Sequence, residues 1–373
     1  MIVIGGGVTG SAAARTLGSR GVETVLFEQY EVGNPSGSSH GATRMFRLAY
    51  PQPDYVRLAR RALESWRRLE DAAGEPLLVR TGGVYAGPWA EQCGVALAAC
   101  NVPREWLPPE EAATRFPGLS LDGLDRVLYE EHGGVCLAGR TLAAQVRLAQ
   151  AAGVSLRIRA EALRFLVDDH GITVRAGEAD EVSAPVAVVA AGPWARDLLF
   201  ELGIDLPLRV AFTQASYFAP RSPGGPVPPG FVEAGASSHG LGSGGYMVPS
   251  VEGFELKVAD GTPGRTVHQA SGPFAVDPEQ EARDVAFVRR RLPAYDPEPL
   301  RTETCLYTMT PDEDFVLERV GPIVIASACS GHGFKFGPLL GEIVADLATG
   351  RDPGIPRERF SAARPALARP GPA

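Results

Sequence analysis

A three-residue apolar run, Ile2-Val3-Ile4, leads directly into Gly5-Gly6-Gly7-Val8-Thr9-Gly10. The spacing Gly5-x-Gly7-x-x-Gly10 makes a turn tight enough to demand glycine and bare enough for a pyrophosphate to approach the backbone. The Ala-rich stretch Ser11–Ser19 follows as a helix, whose N-terminal N–H groups and dipole favour an anion. Val22–Phe27 reads as the next strand and ends at Glu28, where an acid can accept hydrogen bonds from ribose hydroxyls. Strand, turn, helix, strand and acid in this register specify a βαβ dinucleotide-binding unit.

The remaining chain extends that unit in blocks. A helical pattern runs over Tyr55–Ala73, and another over Leu142–Ala152. Strands are expected near Val154–Arg159, Ala162–Val167 and Ile172–Arg175, and the wholly apolar Val186–Ala190 leads into Ala191-Gly192-Pro193-Trp194. Ile323–Ser327 reads as a strand, followed by a glycine-rich turn and a helix from about Gly337 to Thr349. Residues 76–137 read as short strands and turns. The Pro/Gly-rich segment 209–303 contains a long loop or lid over 220–245, and the tail beyond Arg364 is expected to be disordered. The sequence thus predicts an α/β protein with a Rossmann cofactor domain in three pieces, 1–80, 138–208 and 304–364. A second, β-rich α+β substrate domain comes from 81–137 and 209–303, with 365–373 as a tail.

The net charge of -8 argues against nucleic acid or an anionic membrane as partner, and no apolar run approaches the roughly 20 residues that span a bilayer. The chain opens on a strand, leaving no room for a signal peptide, so a cytoplasmic location is expected; a monomer is expected as well. Cys93, Cys100, Cys136, Cys305 and Cys329 form no metal-ligand spacing, and five is odd, so at least one thiol is free. Of 36 Lys plus Arg, only Lys257 and Lys335 are lysine. A GC-rich genome explains the skew. The two retained lysines remain candidates for tasks a planar guanidinium cannot perform.

The glycine motif alone does not separate FAD from NAD. Two later features favour FAD: Val188–Trp194 resembles the second flavin-domain strand of glutathione reductase-like flavoproteins, and Ser330-Gly331-His332-Gly333-Phe334-Lys335-Phe336 precedes a helix that could face the flavin pyrimidine. Four local patterns then resemble monomeric sarcosine oxidase and its N-methyl amino acid oxidase relatives within the D-amino acid oxidase-like superfamily. They are Ser39-His40-Gly41-Ala42-Thr43-Arg44-x-x-Arg47, Cys305-x-Tyr307-Thr308, Pro311-Asp312-x-x-Phe315 and Ser330–Lys335.

The resemblance implies roles residue by residue. Cys305 matches the cysteine bonded to the flavin 8α-methyl, with His40 and Arg44 beside the ring; the glycine and Ser/Thr around Arg44 and Arg47 suggest a cofactor-facing loop rather than a solvated helix face. Arg47 and Lys335 match the pair that clamps the substrate carboxylate, and Lys257 matches the lysine credited with activating oxygen. Tyr246, Tyr307 and His332 match the substrate pocket. Gly5, Gly7, Gly10, Glu28, Gly192, Trp194, Gly331, Gly333 and Phe334 complete the FAD contacts, and no metal is expected. The sarcosine-specific relatives carry a histidine four residues after the oxygen lysine, where this chain has Gly261. The expected substrate is therefore a bulkier N-methyl or cyclic amino acid rather than sarcosine, with Asp260 available for a cationic end. His132, His170, His239 and His268 are read as surface residues. The implied reaction takes amine to imine and O2 to H2O2. A flavin dehydrogenase serving an electron carrier and a tailoring flavoprotein of secondary metabolism are the alternatives.

Overall fold

Ile2–Ile4 forms a fully buried strand at the heart of a six-stranded sheet. The computed structural model describes all residues except 162, 178–179, 223, 226, 237–243, 254, 270–271 and 369–373. The first strand pairs in parallel with Val25–Glu28 on one side and Ala187–Val189 on the other. Ser155–Ile158 and Ile323–Ser327 continue the parallel array, and Val316–Val320 closes one edge antiparallel. Val and Ile fill these strands because both faces are covered, which is the usual state of a parallel sheet.

The two-residue period sorts those side chains into two layers. Val3, Leu26, Val188 and Val324 join one core with the helices Val8–Ser19, Ala138–Ala151 and Gly337–Ala348. Ile2, Ile4, Phe27, Ala187, Val189 and Ile325 join another, beneath the antiparallel sheet of Arg164–Asp168, Gly171–Ala176 and Asp180–Ala184 and the helix Ala195–Glu201. The strands of this sheet come from the three stretches of chain that the motifs predict.

A second sheet has eight strands, in the order Arg301–Met309, Arg209–Phe218, Leu256–Ala259, Gly244–Val248, Gly230–Ala234, Gly83–Ala86, Val127–Glu130 and Glu105–Leu107. The expected boundary at residue 304 cuts through Arg301–Met309, which pairs along its whole length with Arg209–Phe218. Cys305 therefore belongs to the large sheet. A small sheet of Thr43–Phe46, Gly134–Leu137 and Leu78–Arg80 lies in the chain next to both.

Several expectations are corrected. Residues 76–137 include the helices Pro88–Ala99 and Pro109–Arg115, and the Pro/Gly-rich stretch holds the helix Pro278–Arg291. The segment read as a lid contains the buried strand Gly230–Ala234, while 237–243, with His239, lie outside the described residues. Arg44 sits in a strand rather than a loop, and Arg47 directly follows that strand. In the tail, Pro365–Leu367 forms a short helical turn and Leu367 is buried in the second core; only 369–373 lie outside the described residues. Of the histidines read as surface residues, His170 and His268 are exposed, but His132 is half-buried beside Glu130.

The first and last helices of the cofactor layer touch through glycine. A Cβ on Gly341 would lie 2.5 Å from the Ala12 backbone, closer than any real Cβ contact. Gly341→Ala should force the helices apart and cost about 1–3 kcal/mol, as overpacking does. Denaturant melts of the two proteins measure it; an unchanged midpoint would contradict this packing.

Candidate active site

The two sheets enclose one large cavity, and the side chains that reach it follow from strand period. Tyr217 pairs across Arg209–Phe218 with Lys257 on one neighbour and Arg301 on the other. Ala215 pairs with Glu303, Thr213 with Cys305 and Ala211 with Tyr307. Residues two apart share a face, so Glu303, Cys305, Tyr307, Tyr217, Lys257 and, from Gly244–Val248, Tyr246 all line the cavity. Ser216 and Val258 point the other way, towards the helix Pro278–Arg291.

The nucleotide end is built by the glycine turn. Gly5 has φ +103°, and a Cβ there would lie 2.5 Å from the Ala190 carbonyl oxygen. Gly5, Gly7 and Glu28 line the cavity. Gly10 does not; it lets the helix pack on the turn, since its Cβ would lie 1.9 Å from the Gly5 oxygen. Glu28 accepts from the N–H groups of Gly6 (2.6 Å) and Tyr30 (2.9 Å), and burial raises its carboxyl above the ordinary value. Gly192 at φ +51° and Trp194, edge-on to Tyr30, close the same end.

At the other end the cysteine is tuned by its neighbours. Burial alone would push the Cys305 thiol up, but the His40 ring beside it and the charges of Arg44 and Lys257 outweigh that and lower it to about 7. Cys93 also feels Arg47, and Cys136 feels Lys335 and Arg44, but with no histidine beside them burial wins and both thiols are pushed well up. Arg44 donates to the carbonyls of Ser38, His40 and Thr43, pinning the turn that carries His40. Its guanidinium also lies 5.6 Å from the Phe334 ring.

Two more cations converge from elsewhere. Arg47 is buried between the rings of Tyr50 and Trp89, at 4.3 and 4.6 Å. Lys335 Nζ donates to the His332 carbonyl at 2.8 Å and lies 5.7 Å from the same Tyr50 ring. Burial first, and then Arg47, hold the Lys335 ammonium well below its ordinary value. Lys257 is lowered to about 7, by burial first and then by Arg44. Tyr246 and Tyr307, buried and hydrogen-bonded to each other, are both raised by burial.

His332 lines the cavity, but the geometry makes it a fixed brace. Its Nε2 faces the Glu313 carbonyl at 3.1 Å, which can only accept, so Nε2 carries the proton. Its Nδ1 then accepts from the Tyr50 hydroxyl at 3.3 Å, and the ring stacks on Phe315. His332 therefore lines the pocket, as the resemblance implies, with both ring nitrogens engaged by the protein. Gly333 is required here, because a Cβ would lie 1.7 Å from the Ala328 oxygen, and Gly331 adopts φ +73°. Asp260 is also reassigned: it pairs with Arg283 at 2.7 Å and accepts from Gln280 and the Thr262 N–H. Neither Asp260 nor Gly261 lines the cavity. Sequence reasoning passed over Tyr217, Glu303 and the buried Glu130, which accepts from Tyr85 and from the Leu48 and His132 N–H groups.

The residues present fit a flavin dinucleotide. Buried His40 Nε2 and Thr308 Oγ1, both on cavity-lining residues, have no hydrogen-bond partner among the described residues, as groups reserved for a ligand would. The FAD dependent oxidoreductase family matches residues 1–347. The chain belongs to that family.

Among curated members, monomeric sarcosine oxidase from Streptomyces avermitilis is 33% identical over 93% of this chain and 93% of its own length. N-methyl-L-tryptophan oxidase from Salmonella arizonae is 29% identical over 98% of each chain. Among solved structures, the open form of NikD, described as an unusual amino acid oxidase essential for nikkomycin biosynthesis, superposes with a TM-score of 0.85 at 28% identity over 96% of each chain. This FAD-dependent oxidoreductase thus carries the family's mixed α/β fold across almost its full length, and no described helix is long and apolar enough to cross a membrane.

Behind the lysine strand lies a second tuned acid. Asp284 is fully buried, accepts from Ser216 Oγ at 2.8 Å, and has its other oxygen unpartnered. Burial first, with Asp260 nearby, pushes it up to about 8. The folded protein then holds a proton that the unfolded chain loses near pH 4, so stability falls as pH rises through that window to about 8. Asp284→Asn removes this titration. Its Tm should drop less than the wild type's between pH 5 and pH 9, and parallel melting curves would contradict the assignment.

Proposed function

We propose that this flavoprotein oxidises amino acids bearing a secondary amine, N-methylated or cyclic, to the imine, with O2 as electron acceptor. The observation that carries the reading is the pairing of two buried cations, Arg47 and Lys335, on one side of the cavity with Lys257 and Cys305 on the sheet opposite. A guanidinium gives a planar two-point grip on a carboxylate and an ammonium adds a point charge. Tyr50 and Trp89 hold the guanidinium plane, and the Lys335 carbonyl is itself held by Trp66 Nε1 at 2.7 Å.

An amino acid gripped in this way meets an environment hostile to its ammonium. A secondary amine loses its proton near pH 10, so neutralising it at pH 7 costs about 4 kcal/mol in water. Buried cations and an apolar wall lower that cost by disfavouring the charged form. With His332 braced at both nitrogens, no side-chain base is assigned to the C–H step. Bound FAD would supply the two-electron acceptor for the hydride of the amine carbon, and would return those two electrons, with two protons, to O2 as H2O2. Lys257 supplies positive charge on the sheet side for that second half.

We also propose that Cys305 holds the flavin through its 8α carbon. His40, Arg44 and Lys257 favour the thiolate needed for attachment, and His40 Nε2 is free to meet the ring system. The relatives' names support the amine class: one acts on sarcosine and another on N-methyl-L-tryptophan. A carrier-linked dehydrogenase is less favoured, because Lys257 would then have no oxygen to serve.

The test is a panel under air: sarcosine, larger N-methyl amino acids, and proline- and pipecolate-like rings, followed by oxygen uptake and peroxide. Secondary amines of this panel should turn over with one peroxide per amine, and the kcat/KM maximum along it reads the pocket size, which Gly261, away from the cavity wall, does not set. No turnover of any secondary amine would remove the amine class; turnover only with an artificial acceptor would remove the oxidase. Arg47→Met should raise KM by about a hundredfold, the loss of a charge-assisted pair. An unchanged KM would place the carboxylate elsewhere.

A further inference from the structure

Lys257 sits in a poor place for a positive charge. It is buried, with Arg44 facing it from the strand Thr43–Phe46 and Arg301 from Arg301–Met309. Tyr217 lies between the two cations in the sheet, with Lys257 Nζ 5.9 Å and the Arg301 guanidinium 3.7 Å from its ring. The anions that face Lys257 are Glu303 and the Cys305 sulfur, both on Arg301–Met309. Tyr246 and Tyr307 line the same cavity, and desolvation raises both hydroxyls above their ordinary value.

If Cys305 is bonded to carbon, its sulfur can no longer ionise. Glu303 is then the remaining anion in the set. Its geometry is fixed from two sides: Tyr217 OH donates to Oε2 at 2.7 Å, and Arg301 approaches Oε1 at 3.4 Å. Arg301 also pairs with Glu255 at 3.4 Å, and Glu303 itself lines the cavity. Gly41 is part of the same arrangement. It adopts φ +88°, and a Cβ there would lie 3.4 Å from Glu303 Oε2 and 3.3 Å from Arg44.

We propose that Glu303, oriented by Tyr217, is the positioning anion that keeps Lys257 charged beside the flavin. The inference rests on the oxidase reading above. Glu303 acts through Lys257 rather than on substrate, so its removal should disturb the oxygen half of the cycle more than the amine half.

The composition makes the test direct, because Lys257 and Lys335 are the chain's two lysines. Holoenzyme labelled with [ε-13C]lysine gives two titrating signals, assigned by Lys257→Met. In Glu303→Gln the Lys257 midpoint should fall by about half a pH unit or more while Lys335 stays put, and Tyr217→Phe should move it the same way by less. After photoreduction without any amine, reoxidation by O2 at pH 7 should slow by about twofold or more, matching that shift from a midpoint of about 7. Adding Glu303→Gln to Lys257→Met should produce no further slowing. An unmoved Lys257 midpoint, equal movement of both lysines, or full additivity of the two substitutions overturns the proposal. A wild-type flavin that is inert to O2 while the Lys257 midpoint still shifts would instead uphold the coupling and overturn the oxidase reading.

Discussion

The site depends on the pairing of Arg209–Phe218 between the lysine strand and the cysteine strand. That register puts Lys257, Tyr217 and Arg301 in one row, Glu303 in the next and Cys305 in the one after. A slip of one residue would turn every one of these side chains to the opposite face. The back of the same sheet is correspondingly specific: Ser216 meets Asp284, and Val258 and Met247 bury against the core under Pro278–Arg291. Packing behind the sheet therefore sets chemistry in front of it.

The second constraint is the price of gathering cations in a dry place. Arg44, Arg47, Lys257 and Lys335 all line the cavity, and Lys257 and Lys335 are depressed by burial. Such an arrangement destabilises the empty protein and becomes favourable when negative charge arrives, whether a substrate carboxylate or a thiolate. The aromatic walls of Tyr50, Trp89 and Tyr217 hold three of the cations in place without neutralising them. This leaves the charge available to a ligand.

Much of this was legible in the sequence because glycine and strand signals are local. Gly5, Gly10 and Gly333 are each required by a backbone atom within 2.5 Å of where a Cβ would lie, so their spacing reads directly as a turn. The candidate site residues reach the cavity wall, except Gly10 and Asp260. What was missed depends on long-range pairing. Glu303 and Tyr217 are 86 positions apart and meet only through register, and His332 was read as pocket-lining before Tyr50, 282 positions away, was known to brace it. The helix Pro278–Arg291 is a different case. Asp277 caps it, Pro278 opens it, and Arg289, Arg290 and Arg291 end it; these local signals were outweighed by the Pro/Gly-rich composition around them. Asp260 looked available because its partner Arg283 lies on that same unread helix.

The proposed bond between Cys305 and the flavin is the link on which the other assignments depend, because it would fix the ring against Lys257 and leave Glu303 as the counter-charge. Acid precipitation of the purified holoenzyme measures it. The wild type should give a yellow pellet that stays coloured through washing, and Cys305→Ala a colourless pellet. Flavin released wholly into the wild-type supernatant would contradict the account.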